Sequence, residues 1–149
     1  MFRGSRRRGC RVVIDTCVLV AGISGFKQRV LSRGTSPSAK LLHTWIEKGN
    51  FVWLVSAELL DEYRQVLKRL RVRPHLIGRL VNLLQEEADF IDVGLVPDVS
   101  PDPGDNPICA CAAEGGAEFI VTLNKSDFPQ AQLNARVVAP GEFLLRIRK

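Results

Sequence analysis

The run Arg11-Val12-Val13-Ile14, closed at once by Asp15, constrains this chain more than any other segment. Consecutive β-branched residues without polar alternation suit a strand covered on both faces, the kind found in parallel sheets. Residues 51–55, 119–121 and 136–138 are similar short runs, and stretches with helical apolar spacing lie between them. Ser36-Pro37 reads as an N-cap and first-turn proline ahead of Leu41, Leu42, Trp45 and Ile46, with Gly49 as the stop. Ser56 caps a helix with Leu59, Leu60, Tyr63, Val66, Leu67 and Leu70 on one side. Pro74 opens another, carrying Leu76, Ile77, Leu80, Leu83 and Leu84. Pro107 sits in the first turn of a helix that stops at Gly115-Gly116, and Pro140-Gly141 leads into the last one. A short strand is expected over 90–93 and a proline-rich loop over 94–104. The alternation predicts an α/β fold of three layers, α/β/α, around a central parallel sheet of four to five strands. It also predicts one domain over 11–149, preceded by a disordered basic arm over 1–10.

Composition narrows the setting. At 149 residues, 46% hydrophobic and 25% charged, the chain has the profile of an ordinary soluble globule. No apolar run reaches the roughly 18 residues of a membrane span, and Asp15 interrupts the N-terminal apolar stretch too early for a signal peptide. Four cysteines are too few and too unevenly spaced for a disulfide scaffold, so a cytoplasmic location with reduced thiols is expected. The net charge of +5 is unevenly spread. Residues 80–124 contain no Lys or Arg but hold Glu86, Glu87, Asp89, Asp92, Asp98, Asp102, Asp105, Glu114 and Glu118, which leaves the rest of the chain strongly basic. One basic cluster is Arg3, Arg6, Arg7, Arg8 and Arg11; a second is Arg64, Lys68, Arg69, Arg71, Arg73 and Arg79. Solvated helix faces and a loose tail would produce this pattern. So would an enzyme that holds a divalent metal and grips nucleic acid. In the second case Arg3, Arg6, Arg7 and Arg8 would contact RNA phosphates without reading bases.

In parallel α/β sheets, sites form beyond the carboxyl ends of the strands. Asp15 follows the first strand, Glu62 lies one and a half turns into the helix after the second, Asp105 begins the helix before the fourth, and Asp127 lies six residues past Val121. Each has an ordinary reading as a helix cap, exposed helix acid or turn residue. Together they would crowd one sheet edge, and crowded carboxylates repel unless a cation intervenes. Mg²⁺ or Mn²⁺ fits an all-oxygen set, activates water and neutralises charge on a phosphodiester. On this reading Asp15, Asp105 and Asp127 hold the metal, and Glu62 is an outer ligand or water-orienting base.

These segments resemble the PIN-domain family, and more closely the PIN-type (VapC-like) toxin components of bacterial and archaeal toxin–antitoxin systems. The resemblance runs from about Arg11 to Ile147. Val-Val-Ile-Asp-Thr at 12–16 resembles the opening strand, with Asp15 as its acid and Thr16 as the hydroxyl neighbour. Ser56 to Tyr63 resembles the segment whose glutamate falls at Glu62, and Asp102-Pro103-Gly104-Asp105-Asn106 the third motif, with Asp105 as the acid. Glu-Phe-Ile-Val-Thr at 118–122, then Asn124 and Asp127-Phe128, resembles the fourth, making Thr122 and Asn124 supporting polar residues. Asn124 stands where many members carry an acid, and Cys17 replaces a frequent Asn or Ser. The resemblance implies a metal-dependent endoribonuclease acting on single-stranded RNA, often homodimeric and often held inactive by a cognate antitoxin. The competing reading is a catalytically weak module that grips RNA or protein on the same fold.

Other constellations are missing. There is no P-loop, Gly-x-Gly-x-x-Gly or Gly-x-Ser-x-Gly. His43 and His75 are the only histidines, and Cys109 and Cys111, two apart on an expected helix, face different ways, so a zinc site lacks ligands. Trp45, Phe51 and Trp53 read as core, with Trp53 the one candidate for base stacking.

Overall fold

The computed structural model describes residues 9–23, 34–94 and 106–147. Its strands are β1 (Arg11–Ile14), β2 (Val52–Val55), β3 (Asp89–Phe90), β4 (Phe119–Val121) and β5 (Arg136–Val138). The helices are α1 (Thr16–Gly22), α2 (Pro37–Lys48), α3 (Ala57–Arg69), α4 (Pro74–Glu87), α5 (Asn106–Gly115) and α6 (Pro140–Ile147). All five strands are parallel, in the order β3-β2-β1-β4-β5. Asp105 and the Arg3, Arg6, Arg7 and Arg8 cluster lie outside the described residues, as does most of the proline-rich loop.

Both faces of the sheet are covered. Val12, Trp53 and Phe119 share a row, since Val12 pairs with both of the others. On that face Trp45 of α2 meets Trp53 edge-on at 4.8 Å, and Phe143 of α6 meets Phe119 at 5.4 Å. Leu54 points to the opposite face, because side chains alternate along a strand. There it lies against Gly115 at the end of α5. The uniformly apolar strands thus match their burial, with Val12, Val13, Ile14 and residues 52–55 all buried. Trp53 is core: its indole N–H donates to the Tyr63 hydroxyl at 3.3 Å and none of its surface is exposed.

Local chemistry sets the helix limits. Ser36 Oγ accepts the Ala39 N–H at 3.2 Å, Ser56 Oγ accepts the Leu59 N–H at 3.1 Å, and Pro37 and Pro74 occupy first turns. Gly49, at φ 56°, ends α2. Gly22 seats α1 on α2: a Cβ there would fall 2.5 Å from the Ser38 carbonyl oxygen. The third strand begins a residue earlier than expected and is shorter. It is an edge strand pairing only with β2, through Leu54–Asp89 and Val55–Phe90, and Phe90 is exposed.

Candidate active site

The chain places β2 and β3 on one side of β1, then crosses to place β4 and β5 on the other. Strand order therefore reverses between β1 and β4, and a crevice opens beyond their carboxyl ends, where open α/β sheets bind ligands. Asp15 and Thr122 are the residues that follow those two strands. Their backbones continue the ladder, with Asp15 N–H on Val121 O and Thr122 N–H on Val138 O, both at 2.9 Å. The side chains then meet across the crevice: the Thr122 hydroxyl donates to Asp15 Oδ2 at 2.6 Å.

Asp15 occupies the N-cap position of α1, yet its side chain makes no cap bond. Its carboxylate is engaged in the crevice instead, which removes the simple capping reading. Oδ2 also accepts the Cys17 thiol at 3.1 Å. Burial, reinforced by the negative charge of Asp15, pushes the Cys17 thiol up to about 11. Cys17 thus acts here as a neutral donor to Asp15 at ordinary pH. Asp15 is 6% exposed. Ion pairs among the described residues join Arg11 to Asp89 and Lys125 to Glu142, so neither neutralises Asp15. Both donors to Asp15 Oδ2, Thr122 and Cys17, are neutral groups.

Glu62 reaches the same edge from α3. The hydroxyl of Thr16, the residue after Asp15, donates to Glu62 Oε2 at 2.6 Å. Tyr63, next on α3, is fully buried, and its hydroxyl donates to the carbonyl of Ile14 at 2.5 Å. That bond fixes the end of β1 from below, a role that sequence reasoning assigned to the core only. The signal was available in the adjacent pair Glu62-Tyr63, which sends one side chain to the edge and the other into the core.

A strap after β4 completes the arrangement. The Asn124 backbone N–H donates to Thr122 Oγ1 at 3.0 Å, and its side-chain amide donates to Asp127 Oδ2 at 2.8 Å. Asp127 lies in a single 3₁₀ turn, Lys125–Asp127, and is half-buried. Hydrogen bonds thus join Asp15, Cys17 and Thr122 in one set and Thr16 and Glu62 in a second beside it along the chain, and the Asn124 N–H ties Asn124 and Asp127 to Thr122. Among the described residues, Asp, Glu, His and Cys side chains form no group of three able to hold a metal. The donors at the edge are carboxylates and hydroxyls, which suit a hard divalent cation. Cys109 and Cys111 are buried cysteines of α5 that form no disulfide, and burial pushes Cys111 up to about 12.

Comparison with known proteins agrees with this architecture. VapBC2 from Rickettsia felis, in a structure bound to a DNA fragment from its promoter, aligns with 85% of this chain and 96% of its own. That alignment has a TM-score of 0.53 and 14% identity. PAE2754 from Pyrobaculum aerophilum aligns with 93% of this chain and 89% of its own, with a TM-score of 0.55 and 15% identity. At such identities the likeness is one of fold. No curated protein shows significant sequence similarity to the chain. Residues 11–126 match the PIN domain. That match spans the sheet from β1 to β4 together with the crevice between them, and the chain belongs to the PIN domain family.

Proposed function

We propose that this chain is a Mg²⁺- or Mn²⁺-dependent endoribonuclease that cleaves single-stranded RNA and serves as the toxin of a toxin–antitoxin pair. PIN domains are generally nucleases and typically use divalent metals. The observation that carries the reading is the buried Asp15 carboxylate at the point where strand order reverses, held by Thr122 and Cys17 without a cationic partner among the described residues.

The metal would be held by Asp15 and Asp127, with Asp105 completing the set. When bound, it supplies a polarised water and offsets charge on the phosphoryl oxygens. The protein's own groups provide position. Thr122 and Cys17 fix Asp15 through Oδ2. Thr16 orients Glu62, the proposed acceptor of the proton lost by the attacking water. Asn124 holds Asp127 from its own turn and ties that turn to Thr122. A cognate antitoxin is the proposed partner, and a homodimer the proposed assembly.

Cleavage of a labelled single-stranded RNA with Mg²⁺, with and without excess EDTA, tests the reading. Chelation should abolish cleavage and added Mg²⁺ should restore it. Cleavage that survives EDTA would overturn the metal assignment, and binding without any cleavage would favour a module that only grips its partner.

A further inference from the structure

Helices α3 and α4, joined by residues 70–73, enclose a groove of about 680 Å³. Val72, Ile77 and Val81 give it an apolar floor, while the exposed Arg64, Lys68 and Arg71 rim it. Arg64 and Lys68 are one helical turn apart, so the cations form a stripe. Glu62 stands roughly 200° around α3 from Arg64, at about 100° per residue. The buried face of α3, formed by Leu59, Tyr63 and Leu67, lies between them. The groove thus opens away from the Asp15–Thr122 crevice. The ion pairs among the described residues leave its three cations out.

Two residues of this groove break local backbone rules. Arg71 has φ 62°, the left-handed region that a Cβ disfavours. Its N–H donates to Lys68 O and the Val72 N–H to Leu67 O, both at 3.0 Å, which closes α3 in the pattern where glycine is the favoured residue. Gly78 lies in the middle of α4, where glycine weakens a helix. A Cβ there would meet nothing within 4 Å, so packing inside the chain does not call for glycine. Local rules broken twice on one surface point to a use for that surface. A missing side chain at 78 admits close approach by another backbone. The groove's lining contains no aromatic ring on which a base could stack. A polypeptide suits it better than RNA.

We propose that the α3–α4 groove docks an amphipathic, acidic helix of a partner protein. Its apolar stripe covers Val72, Ile77 and Val81, its backbone passes closest at Gly78, and its carboxylates meet Arg64, Lys68 and Arg71. This goes beyond the nuclease reading and does not depend on it.

The test uses a fluorescein-labelled helical peptide of about 16 residues. It is built from Leu, Ala and Glu, with Leu at helical spacing and Glu on both flanks. Controls are the same peptide with Lys in place of Glu, and labelled oligouridylate. By anisotropy the acidic peptide should bind at least about tenfold tighter than the basic one and weaken with salt. Lys68→Glu and Gly78→Leu should each lower its affinity about tenfold or more, with Gly78→Ala as a milder companion and thermal melts confirming that each variant folds. Arg71→Gly should weaken binding while raising the melting temperature by about 3 °C, because it relieves the left-handed arginine. Equal affinity for both peptides, or none for either, would overturn the proposal. So would oligouridylate binding that Lys68→Glu abolishes, which would make the groove an RNA path. A wild-type dimer that Gly78→Leu dissociates would also overturn it, making the occupant a second copy.

Discussion

Asp15 and Asp127 are both acids that follow a strand, but they are held in opposite ways. Asp15 is buried, and its donor Thr122 is 107 positions away, brought near by the pairing of β1 with β4. Asp127 is half-buried in a single 3₁₀ turn, and its donor Asn124 is three positions away. The first carboxylate is positioned by the sheet itself, so it can move only if the sheet does. The second is held from within its own turn, by a neighbour three residues away. On the proposed function, one acid of the crevice is held across the sheet and the other locally, so substitutions at the two should act differently.

Substitutions can break this contrast. On the proposed function, Asp15→Asn should have the largest effect, lowering RNA cleavage about 10³-fold or more. The metal-free variant should melt no lower than the wild type, because a buried carboxylate gives way to a neutral amide whose oxygen can still accept from Thr122. A variant that keeps wild-type cleavage would remove Asp15 from the mechanism.

Thr122→Val comes next. It removes the donor to Asp15 and the acceptor of the Asn124 N–H from a fully buried position. Stability should fall by about 1–3 kcal/mol, read by denaturant melts, and cleavage should fall about tenfold to a hundredfold. Thr122→Ser, which keeps the hydroxyl, should recover most of both.

The sheet-held acid also carries an alkaline signature through Cys17. Its thiol is raised from 9.0 to about 11, so the folded state retains a proton that the unfolded chain releases. That stability is fully present below about pH 9 and is lost as pH rises toward 11, with a slope of at most about 1.4 kcal/mol per pH unit. Tyr63 and Cys111 add to the wild-type slope in the same direction. Melting temperatures measured from pH 8 to about 11 should decline less steeply in Cys17→Ala than in the wild type, and Asp127→Asn should leave the decline unchanged.

The strap should give the smallest effects. With saturating Mg²⁺, Asp127→Asn should reduce cleavage about tenfold, and Asn124→Ala only about threefold, since an exposed amide acts through Asp127 rather than on the metal. The opposite ranking would exchange their assignments.

Much of the fold was legible because local chemistry and global architecture coincide. The uninterrupted apolar strands, the caps at Ser36 and Ser56, the prolines opening α2 and α4 and the left-handed Gly49 all act within a few residues. Asp15 was legible as the residue that closes the first apolar strand. Strand order was not, because periodicity says which segments are strands and nothing about which neighbour each takes. The Thr122–Asp15 bond depends on that order. Resemblance marked Thr122 as a supporting residue, but its partner came only with the sheet. The basic cluster on α3 was visible as composition. Its division into a groove-lining stripe and other surface cations needed α4 beside it, with Gly78 where Gly78 lies. Strand β3 was misplaced by one residue because a two-residue edge strand has too little pattern to locate.

The pairing of β1 with β4 also sets a schedule. A ribosome makes the chain from its N-terminus, so Asp15 is made 107 residues before Thr122, and the strap follows later still. Until β4 exists, β1 has an open edge, Asp15 lacks its hydroxyl clamp, and Asn124 and Asp127 have not been made. Contacts so distant in sequence form late in folding as well, because the long intervening segment must be closed first. A nascent or truncated chain ending before residue 119 thus carries the first aspartate of the crevice without its opposite wall, and the site comes into being only once β4 and the strap have been made.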